Sequence, residues 1–396
     1  MTFFNFGIYF FVELGIDRLV GKNFYPILNE DIGLLTNLSA TDRNLVPTLY
    51  HFIESKKINL KFILAPEHGL FSALQDQVYV KSMKQKKIPV ISIYGKKVYA
   101  PDTFLKVIDT LVIDLIDIGT RYYTFAWSAI LLIKQIKKLN KKILILDRPN
   151  PLNGITIHGP VLEENFSSFV GLYPLPVRHG MTIGELCNFV NFEYNLNANL
   201  EIIEINGWKR EYYFPECGLY WTVPSPNMPS FETACVYPGM CLLEGTNISE
   251  GRGTTRPFEI FGAPWIDEGE LVKELNSRKI PGANFRPLKF IPTFHKYQGR
   301  VCGGAQIYVS DLKKFDPVYA GLEIISTIKE IYPKKFAWRK PPYEFERKKM
   351  PFDILIGNSW IRNAIEKGES VISIKKRWQR DVDEFKRRRH KYLLYK

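Results

Sequence analysis

Short apolar segments alternate with amphipathic stretches through the first half of the chain, and this alternation restricts the fold more than any other feature. The predicted strands are Ile32–Leu35, Leu60–Leu64, Val90–Tyr94, Thr110–Leu115, Ile143–Leu146 and Glu201–Ile205. The predicted helices lie near 42–55, 101–108, 122–139 and 181–194. Strands composed almost entirely of apolar residues are typical of a parallel sheet with both faces buried. The sequence therefore predicts an α/β domain with a mostly parallel, Rossmann-like sheet.

The second half of the chain differs from the first in amino-acid composition, and this difference predicts a second domain. From about residue 206, Pro, Gly, Trp and Tyr become frequent, and a length of 396 residues is more typical of two domains than of one. The predicted elements here are a strand at 306–309 and helices near 318–332, 359–367 and 378–390. We therefore predict a Rossmann-like catalytic domain over 1–235 and a smaller α+β auxiliary domain over 236–396 that closes the cleft.

The glycine and histidine patterns predict neither a cofactor nor a metal. No Gly-x-Gly-x-x-Gly follows the first predicted strand and no Gly-Lys-Ser/Thr occurs, so nucleotide phosphates lack their usual cradle. The six histidines include no His-x-His or His-x-x-x-His pair. A Gly-x-Ser-x-Gly nucleophile motif is also absent.

The net charge of +13 belongs to the end of the chain. From Lys334 to Lys396 there are 19 Lys and Arg against 8 Asp and Glu, so this segment carries +11 of the total. A solvated helix face explains such a concentration, and the alternatives are attraction to an anionic polymer or membrane surface and a lysine-rich proteome. Because the first 333 residues are almost neutral, nucleic acid is not predicted as a partner.

The apolar segment at 1–12 lacks a basic region before it and a small-residue cleavage site after it, and it is too short to span a bilayer. It predicts neither a convincing signal peptide nor an integral membrane segment, so the compartment stays open. The five cysteines match no zinc or disulfide spacing and are interpreted as mostly buried thiols, with a Cys241–Cys302 pair left open.

Polar motifs follow four of the predicted strands. Since ligands bind outside the carboxyl ends of the strands in open parallel sheets, we expect these motifs to converge on one cleft. Arg178 and His179 precede the helix predicted at 181, where they can face an anion or simply form a turn. The candidate residues of the strand ends are Asn37, Glu67, His68, Asp117, Arg121, Tyr122 and Asn150.

A second cluster of polar residues lies in the segment 244–259. It contains three glutamates, two arginines and three glycines but few large apolar side chains, so neither helix nor strand packing explains it. Carboxylates among Asn, Arg and aromatic residues suit a sugar, whose cleavage ordinarily needs two carboxyl groups. Glu67 is the predicted general acid, with Glu244 and Glu250 as candidates for the second carboxylate. The candidate binding residues of this half are Asn247, Arg252 and Arg256.

Several motifs, taken together, resemble the NamZ-type exo-β-N-acetylmuramidases, bacterial enzymes formerly grouped as a domain of unknown function. The resemblance spans nearly the whole chain, and its longest stretch is Tyr237–Trp265. The other matching stretches are Pro66–Gly69, Asp117–Thr124, Asp147–Gly154, Gly171–Thr182, Pro224–Pro229, Pro292–Tyr297, Pro342–Glu344 and Tyr392–Tyr395.

The resemblance implies removal of a terminal N-acetylmuramic acid from the non-reducing end of peptidoglycan fragments. It implies a catalytic role for Glu67, adds Tyr297 as a candidate, and favours the cell envelope, periplasm or secretion. The lactyl carboxylate of muramic acid gives Arg121, Arg252 or Arg256 a physical purpose. The loop Leu70–Gln77 departs from the family by being apolar and shorter. Because of that departure, a non-catalytic sugar-binding protein is an alternative. A phosphate-ester hydrolase that uses Asp117 and the arginines is a third hypothesis.

Overall fold

The computed structural model describes residues 12–75, 83–95 and 99–396. The strands of this part are β1 Asp31–Leu35, β2 Asn59–Ala65, β3 Met83–Gln85, β4 Ile88–Ser92, β5 Thr110–Ile113, β6 Lys142–Leu146, β7 His158–Val161, β8 Pro176–Arg178, β9 Leu200–Ile203, β10 Ile260–Ala263, β11 Ala283–Phe290 and β12 Cys302–Val309. The α-helices are α1 Gly15–Gly21, α2 Thr48–Glu54, α3 Asp102–Leu105, α4 Thr124–Lys137, α5 Ile183–Glu193, α6 Phe231–Met240, α7 Glu268–Ser277, α8 Pro317–Ile331, α9 Pro351–Ile356, α10 Trp360–Glu366 and α11 Val371–Arg389.

A seven-stranded sheet in the order β3-β4-β2-β1-β5-β6-β9 forms the centre of the first domain. All neighbouring pairs are parallel except the edge pair β3–β4. After β1 the chain builds one side of the sheet through β2 and β4, then crosses back to place β5 beside β1. The switch point of the sheet therefore lies at the carboxyl ends of β1 and β5.

The predicted α/β class is confirmed, and the predicted strands correspond to β1, β2, β4, β5, β6 and β9. The helix α5 begins with a capping box. The Thr182 hydroxyl accepts from the Glu185 backbone, and the Thr182 backbone donates to the Glu185 carboxylate. The helix expected at 42–55 is wrong over its first turns because α2 begins only at Thr48, after Pro47.

An antiparallel sheet in the order β10-β12-β11 forms the centre of the second half, with α7 and α8 packed nearby. The helix α6 crosses α8 at Gly239 and Gly321, where the two backbones meet so closely that a Cβ on either glycine would collide with a carbonyl oxygen. The predicted boundary at 235 falls inside α6. We keep 1–235 and 236–396 as a proposed division.

Some basic residues of the last helix, α11, make contacts within the molecule. Arg389 is buried and donates to the carbonyls of Ile155, His179 and Gly180. Arg388 pairs with Glu193 of α5 at 2.8 Å. Two arginines of the basic cluster therefore connect α11 to the first half of the chain. The charge count alone did not predict this structural role.

The five cysteines are free and buried, so the pair left open between Cys241 and Cys302 does not form. Across the described ranges, none of the helices has the length and apolar character that a bilayer crossing requires. The segment 1–12 considered as a signal sequence lies outside the described residues except for Val12.

Candidate active site

A cavity between the carboxyl edge of the sheet and the segment 244–259 contains two of the three predicted glutamates. We call it the glutamate cavity. Its walls are Glu67, His68, Tyr122, Tyr123, Thr124, Val170, Ser225, Asn227, Met228, Tyr237, Cys241, Glu244, Arg252, Phe258, Tyr343 and Glu344. Both parts of the chain contribute, as the prediction of a cleft between two domains requires.

Glu67 lies directly after β2 and is 4 % exposed. The Thr124 hydroxyl, at the start of α4, donates to Glu67 Oε2 at 2.6 Å and so orients the carboxyl group. The neighbouring His68 has a φ of 68°, a left-handed conformation that is strained for a residue with a side chain. Its Nδ1 lies 2.7 Å from the carbonyl oxygen of Leu74. The turn after β2 therefore holds Glu67 in a fixed position at the cavity wall.

Glu244 faces the same cavity from the second half of the chain. Arg252 Nη1 donates to its Oε1 at 2.6 Å, and the Tyr343 hydroxyl donates to its Oε2 at 2.8 Å. The Cys241 thiol adds a third, weaker contact at 3.3 Å. Arg252 also lies over the ring of Phe258, 4.8 Å from its centroid. These contacts bring an anion, a cation and an aromatic face together within one enclosed site.

Glu250 does not line the glutamate cavity, and its contacts explain why. It is fully buried, with Arg252 and His295 on Oε1 at 3.2 and 3.0 Å and Lys296 on Oε2 at 2.9 Å. Burial raises the pKa of Glu250, but the opposing effect of Lys296, His295 and Arg252 is greater and sets the pKa well below its ordinary value. The structure thus gives Glu250 the role of a buried counter-charge, which corrects its prediction as a second catalytic carboxylate.

Arg121, predicted to bind substrate, is instead buried away from the cavity. Its guanidinium donates to the carbonyls of Pro160, Leu175 and Leu355, at 2.6 to 2.9 Å. The sequence showed an arginine at a strand end but not that three main-chain acceptors from distant segments would surround it. This prediction is therefore corrected to a structural role.

Three further predicted residues also lie outside the glutamate cavity. Asn150 joins its own loop to the Met181 carbonyl, and Asn37 accepts from Ser39. His179 accepts from the Met181 backbone, and burial lowers its pKa to about 3, with nearby arginines adding to the effect. All three are at most 2 % exposed, so they fix loop geometry rather than face a ligand in this cavity.

Asp117 lies in a second cavity, at the switch point of the sheet, which we call the switch-point cavity. The predicted convergence of all strand-end motifs on one cleft is thus wrong: they share one edge but divide between two cavities. Burial raises the pKa of Asp117 to about 7, against the lowering effect of the Gly119 and Ile118 backbone N–H groups. The cavity is lined by Leu14, Thr41, Asp42, Arg43, Leu45, Ile116, Asp117, Arg148, Pro149, Pro151, Phe214, Leu219, Tyr220, Trp221 and Thr222.

The remaining candidates of the second half lie elsewhere on its surface. Arg256 is half exposed and pairs with Glu259 at 2.9 Å, beside a different groove. Tyr297 donates to the Asn247 carbonyl at 2.6 Å, and the Asn247 side chain joins residues 335 and 337. Asn247 and Tyr297 border a shallow basic pocket with His295, Lys296 and Arg339. None of the three contacts the glutamate cavity.

Residue-by-residue reasoning missed several residues of the glutamate cavity. Tyr123 and Thr124 follow predicted residues directly, and their place after a strand end was a usable signal. Ser225 and Asn227 lie in the Pro-rich segment 224–229, whose extended backbone presents polar side chains to the cavity. Tyr343 comes from a remote loop, and only tertiary structure places its hydroxyl on Glu244.

The described part of the chain contains no group of His, Cys, Asp or Glu residues arranged to hold a metal ion. A two-domain α/β protein with two buried glutamates and an arginine in one aromatic-walled cavity has the composition of a glycoside hydrolase site.

Comparisons with known proteins agree with that class. Models described as exo-beta-N-acetylmuramidase NamZ, N-terminal and C-terminal, match residues 32–232 and 235–395. The chain belongs to the NamZ family. It is 42% identical over 386 residues to the peptidoglycan beta-N-acetylmuramidase NamZ of Bacillus subtilis (strain 168), covering 97% of this chain and 91% of that protein.

Two crystal structures of DUF1343 family proteins from Bacteroides fragilis NCTC 9343 are similar over the whole chain. One has a TM-score of 0.88 at 31% identity, and the other has a TM-score of 0.71 at 30% identity. Each comparison covers 97% of this chain and 99% of the other. The order of elements described above is therefore shared by experimentally determined relatives.

Proposed function

We propose that the protein is an exo-β-N-acetylmuramidase that releases terminal N-acetylmuramic acid from the non-reducing end of peptidoglycan fragments. The observation that carries this proposal is the meeting of Glu67 and Glu244 in one cavity built by both parts of the chain. Each glutamate exposes only 4 % of its surface. Such burial favours a glycan that enters by its end over one that lies across an open groove.

Glu67 is the proposed general acid. The hydroxyl of Thr124 fixes its carboxyl group at the wall of the cavity, so a proton can be delivered to the glycosidic oxygen in a defined direction. Strain at His68 supports the same conclusion, because strained backbone persists where the surrounding structure imposes a functional geometry.

Glu244 is the proposed second carboxylate. Its partners Arg252 and Tyr343 hold it in place, and its negative charge is suited to stabilise the positive charge that develops on the sugar ring. Of the three arginines predicted to recognise the lactyl carboxylate, Arg252 is the one that lines the cavity. The rings of Tyr122, Tyr237 and Phe258 supply the apolar walls against which a pyranose can pack.

The experiment compares Glu67→Gln with the parent on two substrates, the disaccharide N-acetylmuramyl-β-1,4-N-acetylglucosamine and 4-nitrophenyl β-N-acetylmuramide. Loss of a general acid lowers kcat on the disaccharide by about 100-fold to 10,000-fold. The loss on the nitrophenyl glycoside is smaller, because nitrophenolate leaves without needing a proton.

Glu54→Gln serves as the matched control, and we expect parental rates, since Glu54 is 71 % exposed and pairs with Lys86, which precedes β4 at the amino edge of the sheet. Equal rates of Glu67→Gln and the parent on the disaccharide would remove Glu67 from the mechanism. Binding of the disaccharide without release by the parent would indicate a sugar-binding protein instead of an enzyme.

We also propose that the exposed basic residues of α11 and the segment after it make a weak electrostatic contact with anionic envelope polymers. Lys376, Arg380, Lys386, Arg387 and Lys391 are exposed and support this interpretation. Such binding decreases as salt shortens the Debye length, so cosedimentation with a polyanion at low and high ionic strength tests it.

A further inference from the structure

The switch-point cavity lies where a doubly wound sheet ordinarily binds a ligand, yet the proposed catalytic residues are in the other cavity. Its walls come from the loops after β1, β5 and β6, together with the segment 214–222. The glycine-rich turn that holds phosphates in such folds is missing from the β1 loop. A nucleotide is therefore a poor match for this position.

Asp117 is one of the polar residues that line this cavity. Its side chain is 5 % exposed, and its Oδ2 accepts from the Gly119 backbone at 2.7 Å. Its Oδ1 has no hydrogen-bond partner among the described residues. Because buried polar atoms are nearly always hydrogen-bonded, an unpartnered carboxyl oxygen on a cavity wall indicates a position for a ligand hydroxyl or amide.

Two charged residues of the cavity, Arg148 and Asp42, are already fixed by partners within the protein. Arg148 pairs with Asp114 at 2.5 Å, and Asp42 accepts from the backbone of Asn44 and Val46 and contacts His51. The charges of Arg148 and Asp42 are therefore largely balanced within the protein, and Arg43 is the exposed cation of this cavity among the described residues. A neutral ligand with several hydroxyl groups suits such walls better than a strongly charged one.

Aromatic side chains form another part of the cavity wall. Tyr220 is 65 % exposed, and its direct neighbours Leu219 and Trp221 are partly buried. The indole of Trp221 is held by a 3.1 Å hydrogen bond to the Met228 carbonyl and by an edge contact with Phe214. Exposed and fixed aromatic surfaces beside hydrogen-bonding groups are the composition expected of a saccharide subsite.

The two cavities are neighbours. The segment 219–228 borders both, with Leu219–Thr222 on the switch-point cavity and Ser225–Met228 on the glutamate cavity. Tyr123 lies on the wall of the glutamate cavity; burial raises the pKa of its phenol, and the negative charges of Asp117 and Glu67 add to the effect. A glycan whose terminal unit reaches Glu67 can thus place its next unit near Asp117 and Tyr220.

We propose that the switch-point cavity is the subsite for the leaving sugar, the unit to which the terminal muramic acid is joined. The proposal rests on the function proposed above and adds a second recognition site to it. It gives the enzyme a means to distinguish a glycan from a simple muramide.

The test measures the ratio of kcat/KM on the disaccharide to kcat/KM on 4-nitrophenyl β-N-acetylmuramide in Tyr220→Ala. One aromatic contact corresponds to about a tenfold change in affinity, so we expect the ratio to fall about tenfold, through KM for the disaccharide. Tyr25→Ala is the matched control. Tyr25 is 74 % exposed and lies at the opposite edge, since its neighbour Pro26 accepts from Lys142, the first residue of β6.

An unchanged ratio in Tyr220→Ala, or an equal change in Tyr25→Ala, would overturn the proposal. A direct titration with free N-acetylglucosamine, followed by NMR, is independent of turnover, and we expect at least fivefold weaker binding to Tyr220→Ala than to the parent. If the parent cleaves neither glycoside, the proposed function fails, and this titration decides about the cavity alone. Binding of inorganic phosphate but not of N-acetylglucosamine would assign the cavity to a different ligand.

Discussion

Glu244 and Glu250 belong to one short segment but have different surroundings. One faces the cavity, and the other is a buried counter-charge. Glu244 faces the cavity with one cation beside it, whereas Glu250 lies beneath it among Arg252, His295 and Lys296. Removing one partner of a buried ion pair leaves the other charges without compensation, which is strongly destabilising. Glu250 therefore supports the position of Arg252, through which it influences the cavity.

We expect Glu250→Gln to lower the free energy of unfolding by about 3 kcal/mol, because buried positive charges lose their counter-charge. Chemical denaturation at neutral pH measures this. Glu366→Gln is the control, since Glu366 forms an exposed pair with Arg362 and its loss is expected to cost less than about 0.5 kcal/mol. Equal stability of the two variants would contradict the role given to Glu250.

The sequence could predict which residue types gather at the site but not which of them face it. Glu67 was identified by its position after a predicted strand, and Glu244 by its place in a segment that no packing pattern explains. Arg121 and Asn150 also follow predicted strands, yet their side chains donate to main-chain carbonyls. Such acceptors come from segments far away in sequence, so no local pattern reveals them.

At the scale of elements, the strands of the first domain were predictable and the contacts between helices were not. Parallel strands buried on both faces leave a continuous apolar signal, which explains the agreement for β1, β2, β5 and β6. The crossing of α6 and α8 depends on Gly239 and Gly321, which are 82 positions apart in the sequence. A glycine inside a helix pattern indicates close packing but does not name its partner.

We expect Gly239→Ala to destabilise the protein by about 1–3 kcal/mol, because the added methyl collides with the Pro317 carbonyl oxygen at the crossing. Thermal unfolding measures the effect. Gly21→Ala at the end of α1 is the matched control: apart from its chain neighbours and its own helix backbone, no atom of the described residues lies within 4 Å of its new methyl, so the ordinary gain of about 0.4–1 kcal/mol for alanine over glycine is expected there. A neutral or stabilising Gly239→Ala would mean that the two helices separate freely.

At the scale of the whole molecule, the end of the chain returns to the first domain. The Tyr395 hydroxyl donates to Asp147 Oδ2 at 2.5 Å and accepts from the Ile205 backbone, while the Leu394 backbone donates to Glu185. Asp147 lies directly after β6, at the same carboxyl edge that carries both cavities. The last residues therefore connect the second half of the chain to the edge of the sheet that positions Glu67.

This connection predicts that Tyr395→Phe is more harmful than its position near the end of the chain suggests. The variant keeps the ring against Trp208 but leaves a buried oxygen of Asp147 with one donor fewer, which costs about 1–3 kcal/mol of stability. Denaturant unfolding measures the loss, and limited proteolysis should cleave the segment after α11 earlier than in the parent. Tyr392→Phe is the control, because it removes a hydrogen bond to the partly exposed Glu193 and is expected to cost under about 1 kcal/mol of stability. Equal losses of stability in the two variants would show that the hydrogen bond to Asp147 stabilises the protein no more than the one to Glu193.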